Sequence, residues 1–402
     1  MDLKSGYPFW AVKNGLMQCF PPLGGDLRCE VAVLGAGITG ALIADELSAH
    51  GHDVVVLEQR DVAWGSTAAS TALLQYEIDT HMVDLAKQYG EANAVLAYHA
   101  CAEAIDLLRD KAREVRDVDF AGNHSLYFAS RKRHTRDLRA EYELRRRHGF
   151  DVEWLEPQDV REAYGFEAPG AILSRLAARV DPYRMAYRLL HRAQARGVAV
   201  HDRTRVTRIQ ARPRSVVLTT GDGCTVHAQH LVVATGYAAQ EQLGRRVARN
   251  RSSYAFITDP IPEAQLGPLA TTMVWESARP YLYLRTTGDG RLLVGGEDDA
   301  VDIAARRDAR VEGKAGKLAK RVAEVFPQLP VEPVFSWGGT FAETADGLPY
   351  FGPHRDHGSR VLFAMAYGGN GITYSMMGAG LLRALIERRP HPLQQLFSFE
   401  RG

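Results

Sequence analysis

The chain of 402 residues has little cysteine, almost no net charge and no long uninterrupted apolar run. Its four cysteines, Cys19, Cys29, Cys101 and Cys224, are widely separated and form no CxxC pair. That spacing argues against a zinc site or a disulfide framework, so no metal is expected and a reducing, cytoplasmic setting fits. A formal net charge of +1 gives no overall field that would draw in nucleic acid or an anionic membrane. The longest apolar stretch, Val31 to Ala44, is too short and too glycine-rich to span a bilayer. Residues 1–18 lack the apolar core of a signal peptide. There is no internal repeat and no low-complexity linker. What remains is ordinary globular composition, 46% hydrophobic and 24% charged, with length enough for two or three domains and a large core.

The clearest local signal lies near the N-terminus. Val31-Ala32-Val33-Leu34 reads as a buried strand, and the turn Gly35-Ala36-Gly37-Ile38-Thr39-Gly40 follows it directly. Ile38 to His50 then reads as a helix stopped by Gly51, and Asp53 to Leu57 as a second buried strand ending at Glu58. Strand, tight turn, helix and parallel strand make one βαβ unit of the kind that holds a dinucleotide. Gly35 permits the tight turn, Gly37 lets the backbone approach a pyrophosphate, and Gly40 lets helix and strand pack closely. The helix N-terminus supplies oriented N–H groups and partial positive charge. Glu58, eighteen positions beyond Gly40, is placed to accept hydrogen bonds from ribose hydroxyls. This fingerprint alone fits NAD or FAD.

Farther on, residues 82–112 have a helical pattern. The run RKRHTRDLRAEYELRRR, Arg131 to Arg147, reads as a solvated helix face. Asp181-Pro182 starts a helix that Gly197 ends. Residues 198–206 and 215–220 are strand-like, with a hairpin turn at Gly221-Asp222-Gly223, and Leu231 to Ala234 is another buried strand. Between Arg249 and Gly296 the alternation is sheet-like; in Tyr281-Leu282-Tyr283-Leu284-Arg285 the two tyrosines and the arginine share one face. A glycine-rich loop, Tyr367 to Gly371, opens a closing helix that runs to about Glu387. Nucleotide-type strands at the beginning, middle and end of the chain suit two interleaved domains better than two in series.

The segments VAVLGAGITGALIADELSAHGHDVVVLEQRDVAWGSTAAST, VDPYRMAYRLLHRAQARGVAVHDRTRVTRI, LVVATGY, WGGTFAETADGLPYFGP and AYGGNGITYS together resemble the D-amino-acid oxidase-like flavoproteins, among them glycine, sarcosine and γ-glutamylputrescine oxidases. The resemblance covers nearly the whole chain. It implies an α/β protein, α+β overall, in which a Rossmann-like FAD-binding domain is interleaved with an antiparallel-sheet substrate domain. The FAD domain would take about residues 1–80, 165–243 and 335–402, and the substrate domain 81–164 and 244–334. Gly65, Ser66 and Thr67 match the place beside the pyrophosphate. Gln59 and Arg60 follow Glu58 in the cofactor segment, with Arg60 matching a position by the adenine. Val206 would hold the adenine edge through its backbone, and the turn Ala234-Thr235-Gly236 approaches the ADP portion. Gly369, Asn370, Gly371, Ile372 and Thr373 belong to the loop and helix start that cover the isoalloxazine ring. Backbone N–H groups and the positive end of a helix there would stabilise an anionic reduced flavin.

Two departures from the family pattern bear on the chemistry. Some relatives tether FAD through a cysteine in the segment aligned with Trp337–Phe341; this chain has none there, so FAD is expected to be non-covalent. The family's amino-acid oxidases also carry an arginine for the substrate carboxylate, and Phe341 stands in its place. A phenylalanine cannot bind a carboxylate bidentately. The resemblance therefore implies oxidation of a C–N bond in a primary or secondary amine or amino acid to an imine, by hydride transfer to flavin N5. Oxygen or another acceptor would take the electrons. Tyr254, Trp275, Tyr281, Tyr283, Arg285, Phe341, Glu343 and Tyr367 are candidates for the substrate wall, since aromatic faces attract a protonated amine and Arg285 could take a carboxylate. Tyr76 and His81 read more readily as structural. Two alternatives stay open: a flavoprotein dehydrogenase of a 2-hydroxy acid or polyol phosphate, and a non-catalytic flavin-binding protein. The oligomeric state is open.

Overall fold

A computed structural model describes residues 1–300 and 302–401. Two sheets organise them. In the first, eight strands include a central path that runs Tyr350–Pro353, Val361–Met365, Thr225–Val233, Leu27–Leu34, Val54–Leu57 and Ala199–His201. Leu27–Leu34 is parallel to both of its neighbours, Thr225–Val233 and Val54–Leu57. The hairpin Val206–Ala211 and Val216–Thr220 continues antiparallel from Thr225–Val233.

The run Val31 to Leu34 is apolar without alternation because both faces of its sheet are covered. Val31 and Val33 pack into the core under the helices, whereas Ala32 and Leu34 point into the core on the opposite face. Val54 and Val56 divide from Val55 and Leu57 in the same way. Helix Ile38–Ala49 lies between Pro182–Ala195 and Gly371–Ile386. The Asp181 carboxylate caps Pro182–Ala195 by accepting from Arg184 N at 2.9 Å, with proline at the first helical position.

The second sheet has nine strands: Phe335–Glu343, Arg249–Pro260, Arg291–Asp299, Leu282–Thr286, Thr272–Glu276, Ala121–Phe128, Ala171–Arg179 and Leu73–Gln75 in order, with Val152–Leu155 on Ala171–Arg179. One pair breaks the antiparallel expectation, because Thr272–Glu276 runs parallel to Ala121–Phe128. Leu73–Gln75, Ala171–Arg179 and Phe335–Glu343 lie within the segments expected for the cofactor domain, and all three are hydrogen-bonded into this second sheet. A strand's own pattern shows that it is buried, but which sheet completes its ladder is decided by partners far away in sequence.

The helical stretch 82–112 is two helices, Met82–Tyr89 and Glu91–Val115, parted at Gly90 with φ +84°. Within the charged run, helix Thr135–Arg147 does not present a wholly solvated face. Glu141 and Arg145 are completely buried and paired at 2.8 Å, and Arg145 also lies 3.8 Å from buried Glu77. Among the described residues, no helix is long and apolar enough to cross a membrane.

Candidate active site

The strand Leu27–Leu34 ends where the glycine turn begins, and the turn's geometry accounts for its residues. Gly35 has φ +111°, and a Cβ there would come within 2.4 Å of the Ala234 carbonyl oxygen. A Cβ on Gly40 would lie 1.9 Å from the Gly35 carbonyl oxygen, so the helix can approach the turn only with glycine at that position. The Glu58 carboxylate ties the turn from the next strand. It accepts from Ala36 N at 2.9 Å and from Arg60 N at 3.0 Å. Burial pushes the Glu58 acid up; the bonds from Ala36 and Arg60 and the Arg60 guanidinium pull it back.

This turn opens on a cavity of about 510 Å³ that runs between the two sheets. Gly35, Gly37, Ile38 and Thr39 line its first end together with Glu58, Gln59 and Arg60. Gly65, Ser66, Thr67, Val206, Ala234, Thr235 and Gly236 complete that wall. Ser66 Oγ, Thr235 Oγ1 and Arg60 Nε are buried there without a hydrogen-bond partner. Unpartnered donors beside a helix N-terminus are what a pyrophosphate and its sugars would satisfy, so the residues present fit an ADP moiety. Thr67 Oγ1 is engaged, accepting from Ile38 N at 2.9 Å.

The middle of the cavity lies against the second helix N-terminus. Gly369, Asn370, Gly371 and Ile372 line it. Gly369 N donates to Asp79 at 2.9 Å, and Asn370 donates to the Glu77 carbonyl at 2.8 Å. Thr39 and Ser375 hydroxyls meet at 2.7 Å, joining the helices Ile38–Ala49 and Gly371–Ile386 beside the cavity. Two helix N-termini thus converge on one space. Gly40 and Thr373 stand just behind it: Gly40 packs on the turn, and Thr373 donates to the Gln75 carbonyl at 3.3 Å.

The remaining wall comes mostly from the second sheet. Tyr254, Trp275, Tyr281, Tyr283 and Phe341 face the cavity, and Tyr237 and Tyr367 join them from the first. Several ring positions are set by bonds at their far ends. Tyr254 donates to Asp299 at 2.7 Å, Trp275 donates to Ser125 at 3.0 Å, and Tyr127 stacks on Trp275 at 3.6 Å. Burial pushes the Tyr237, Tyr281 and Tyr283 phenols up, Tyr283 to about 12, so these hydroxyls stay neutral.

Two candidates for this wall lie elsewhere. Arg285 is fully buried beyond the cavity, donating to the carbonyls of Thr71 at 2.7 Å, Val180 at 3.1 Å and Thr286 at 3.4 Å. It stands on the same strand face as Tyr283, but its guanidinium is taken by those carbonyls and lies over the Trp10 ring at 5.4 Å. Glu343 is spent on Arg251 at 2.6 Å and Arg279 at 3.6 Å, outside the cavity wall. Tyr76 and His81 are structural, bonded to Ser174 and Tyr127.

Sequence reasoning missed Asp79, Asp298, Arg279 and Tyr237, all on the cavity wall. Burial raises the Asp79 acid, and it raises Asp298 to about 6 although Ser253 pulls the latter down. Asp298 sits in the acidic triplet 297–299, which looks like a strand end entering solvent; Asp79 lies in a loop two residues after Glu77. Neither carries a local signal.

A parallel βαβ sheet with this turn, joined to a second sheet across one cavity, defines a dinucleotide-dependent oxidoreductase. The chain belongs to the DAO family of FAD-dependent oxidoreductases, whose profile matches residues 30–385. FAD is its cofactor. The chain is 29% identical to glycine oxidase of Geobacillus kaustophilus, an alignment that covers 90% of this chain and 94% of that protein. It is 25% identical to γ-glutamylputrescine oxidoreductase of Escherichia coli, over 94% and 88%. The crystal structure of glycine oxidase from Geobacillus kaustophilus superposes with a TM-score of 0.79 at 24% identity, covering 94% of this chain and 99% of that one.

Proposed function

We propose that this FAD-dependent oxidoreductase oxidises the C–N bond of a primary or secondary amine to an imine, which water then hydrolyses. The observation that carries the reading is the second-sheet end of the cavity: aromatic rings with two half-buried carboxylates, Asp79 and Asp298. Such a wall favours a cationic nitrogen by ring-face attraction and by charge. A hydroxy acid or polyol phosphate would bring an anion against Asp79 and Asp298. The guanidinium on that part of the wall, Arg279, already lies over Tyr281 at 3.9 Å and beside Glu343. The names of the glycine oxidase and γ-glutamylputrescine oxidoreductase relatives support a nitrogen substrate as well.

Glu58 would hold the ribose hydroxyls, the Gly35–Gly37 backbone with Ser66 and Thr235 would hold the pyrophosphate, and Gly369–Gly371 would hold the flavin ring. Bound there, FAD supplies a two-electron acceptor for the C–H next to nitrogen. The chain's part is positioning. Tyr281, Tyr283, Trp275 and Phe341 exclude water and hold the amine, whose reacting nitrogen must be neutral. Among the described residues no cysteine or histidine lines the cavity, which supports non-covalent attachment of the flavin. The test is anaerobic bleaching of the FAD-loaded protein by separate pools of amines, 2-hydroxy acids and polyol phosphates. Bleaching by amines is expected; bleaching by hydroxy acids or polyol phosphates alone would overturn the assignment.

A further inference from the structure

We propose that Trp10, Trp337 and Arg285 are positioning residues for the flavin: they hold the carbonyls of the wall segment Ala69–Thr71, and the Arg285 charge at that segment favours the reduced cofactor. The effect is the same whichever substrate supplies the electrons.

Ala69, Ser70, Thr71, Ala72 and Leu73 all line the cavity. They run from the helix Ser66–Ala69, on the pyrophosphate wall, to Gln75, whose carbonyl accepts from Thr373. Three consecutive carbonyls of this stretch accept from buried side chains. Trp337 Nε1 donates to Ala69 at 2.9 Å, Trp10 Nε1 to Ser70 at 2.7 Å and Arg285 Nε to Thr71 at 2.7 Å. None of the three donors is more than 1% exposed. A trans peptide points its N–H opposite to its C=O, so the Ser70 carbonyl drawn to Trp10 turns the Thr71 N–H away from that ring. This N–H makes no hydrogen bond among the described residues, whereas Ser70 N donates to Thr67 and Ala72 N to Ser70 Oγ. Ala72 has φ +50°, which is unfavourable for a residue with a Cβ and persists where surrounding bonds over-determine the backbone. Arg285 adds a second, independent feature. It is fully buried, and its partners are three carbonyls and no carboxylate. Burial pulls the guanidinium down only to about 10, so it is a cation at neutral pH. Neutral indoles hold two of the three carbonyls, so hydrogen bonding alone does not explain a charge at the third. A buried cation without a counter-ion is costly, and negative charge arriving in the cavity beside Thr71 offsets that cost. Uptake of two electrons with one proton makes the flavin ring an anion, and the Arg285 field therefore favours the reduced form.

The experiment measures the midpoint potential of FAD bound to the wild type, Arg285→Met and Arg285→Lys, by equilibration with a reference dye under anaerobic conditions. Arg285→Met should move the redox equilibrium toward oxidised FAD by about tenfold, which is about 30 mV for a two-electron couple. Arg285→Lys keeps the charge and should restore most of that shift. Trp10→Phe and Trp337→Phe each leave a carbonyl free to turn, and each should weaken FAD binding by about two- to tenfold. A shift of less than about twofold in Arg285→Met, with only the melting point lowered, would overturn the role of the charge. So would Arg285→Lys shifting as far as Arg285→Met, because lost geometry would then explain both. Unchanged FAD affinity in both indole variants refutes the clamp. Should Arg285→Met fail to retain FAD, the wild type decides by comparison with free FAD in the same buffer. A bound potential above that of free FAD supports the buried cation's role, and one at or below it refutes that role.

Discussion

Replacing Glu58 by glutamine tests the cofactor end most sharply. Both carboxylate oxygens are engaged by backbone donors, Ala36 N at 2.9 Å and Arg60 N at 3.0 Å. Each oxygen keeps a further lone pair for a ribose hydroxyl. A glutamine of the same shape offers one oxygen and one NH₂. Whichever way it turns, a donor faces Ala36 N or Arg60 N, and that N–H loses its acceptor. Losing a bond to a charged acceptor costs about 1.5–3 kcal/mol, which is roughly 10- to 150-fold in an equilibrium constant. The backbone part of this loss is felt with or without FAD and lowers the thermal midpoint of both forms. The ribose part is felt only when FAD is bound. Glu58→Gln should therefore weaken FAD binding roughly tenfold or more, beyond its effect on the cofactor-free midpoint. The assay is FAD release followed by fluorescence, with thermal melts of both forms at matched salt. If the melting point falls while FAD affinity changes by less than about twofold, Glu58 only ties the turn and its ribose role is refuted.

Arg145→Met should destabilise the protein by about 3–5 kcal/mol, because it strands Glu141 and Glu77 in a dry interior. Urea unfolding measures this, and a loss under about 1 kcal/mol would mean the pair is solvated after all. For pH, the Asp298 acid stands at about 6 when folded, above its ordinary value of 3.8, so the folded state binds the extra proton between those values. Stability of the FAD-free protein should thus fall as pH rises through that window, and Asp298→Asn should recover up to about 3 kcal/mol above pH 6 and nothing at pH 3.5. Denaturation curves at the two pH values check it; a variant gain that is equal at both would contradict the assignment.

Legibility followed distance along the chain. The βαβ unit, its three glycines and Glu58 occupy one short stretch, where spacing alone dictates strand, turn and helix. The capped helix at Asp181-Pro182 and the glycine loop before Gly371 were readable for the same reason. Tyr281 and Tyr283 were readable as a pair on one face, since alternation is local. Arg285 shares that alternation, yet the backbone carbonyls of Thr71 and Val180 claim it, and nothing near it in sequence announces them.

The sequence by itself determined the cofactor class and the segments that could hold it, because glycine stereochemistry and a strand-terminal acid act within a few residues. Only the tertiary structure decided which strands build the second sheet, which charges are buried and which acids line the cavity. Arg145 and Glu141 look solvated in a run of charges, and they become a buried pair only when Glu77 and Tyr98 arrive from other segments. Asp79 and Asp298 lie 219 positions apart, and it is the closing of two sheets on one cavity that makes them neighbours in electrostatic effect. Burial and field are properties of that assembled space, and no local pattern of residues carries them.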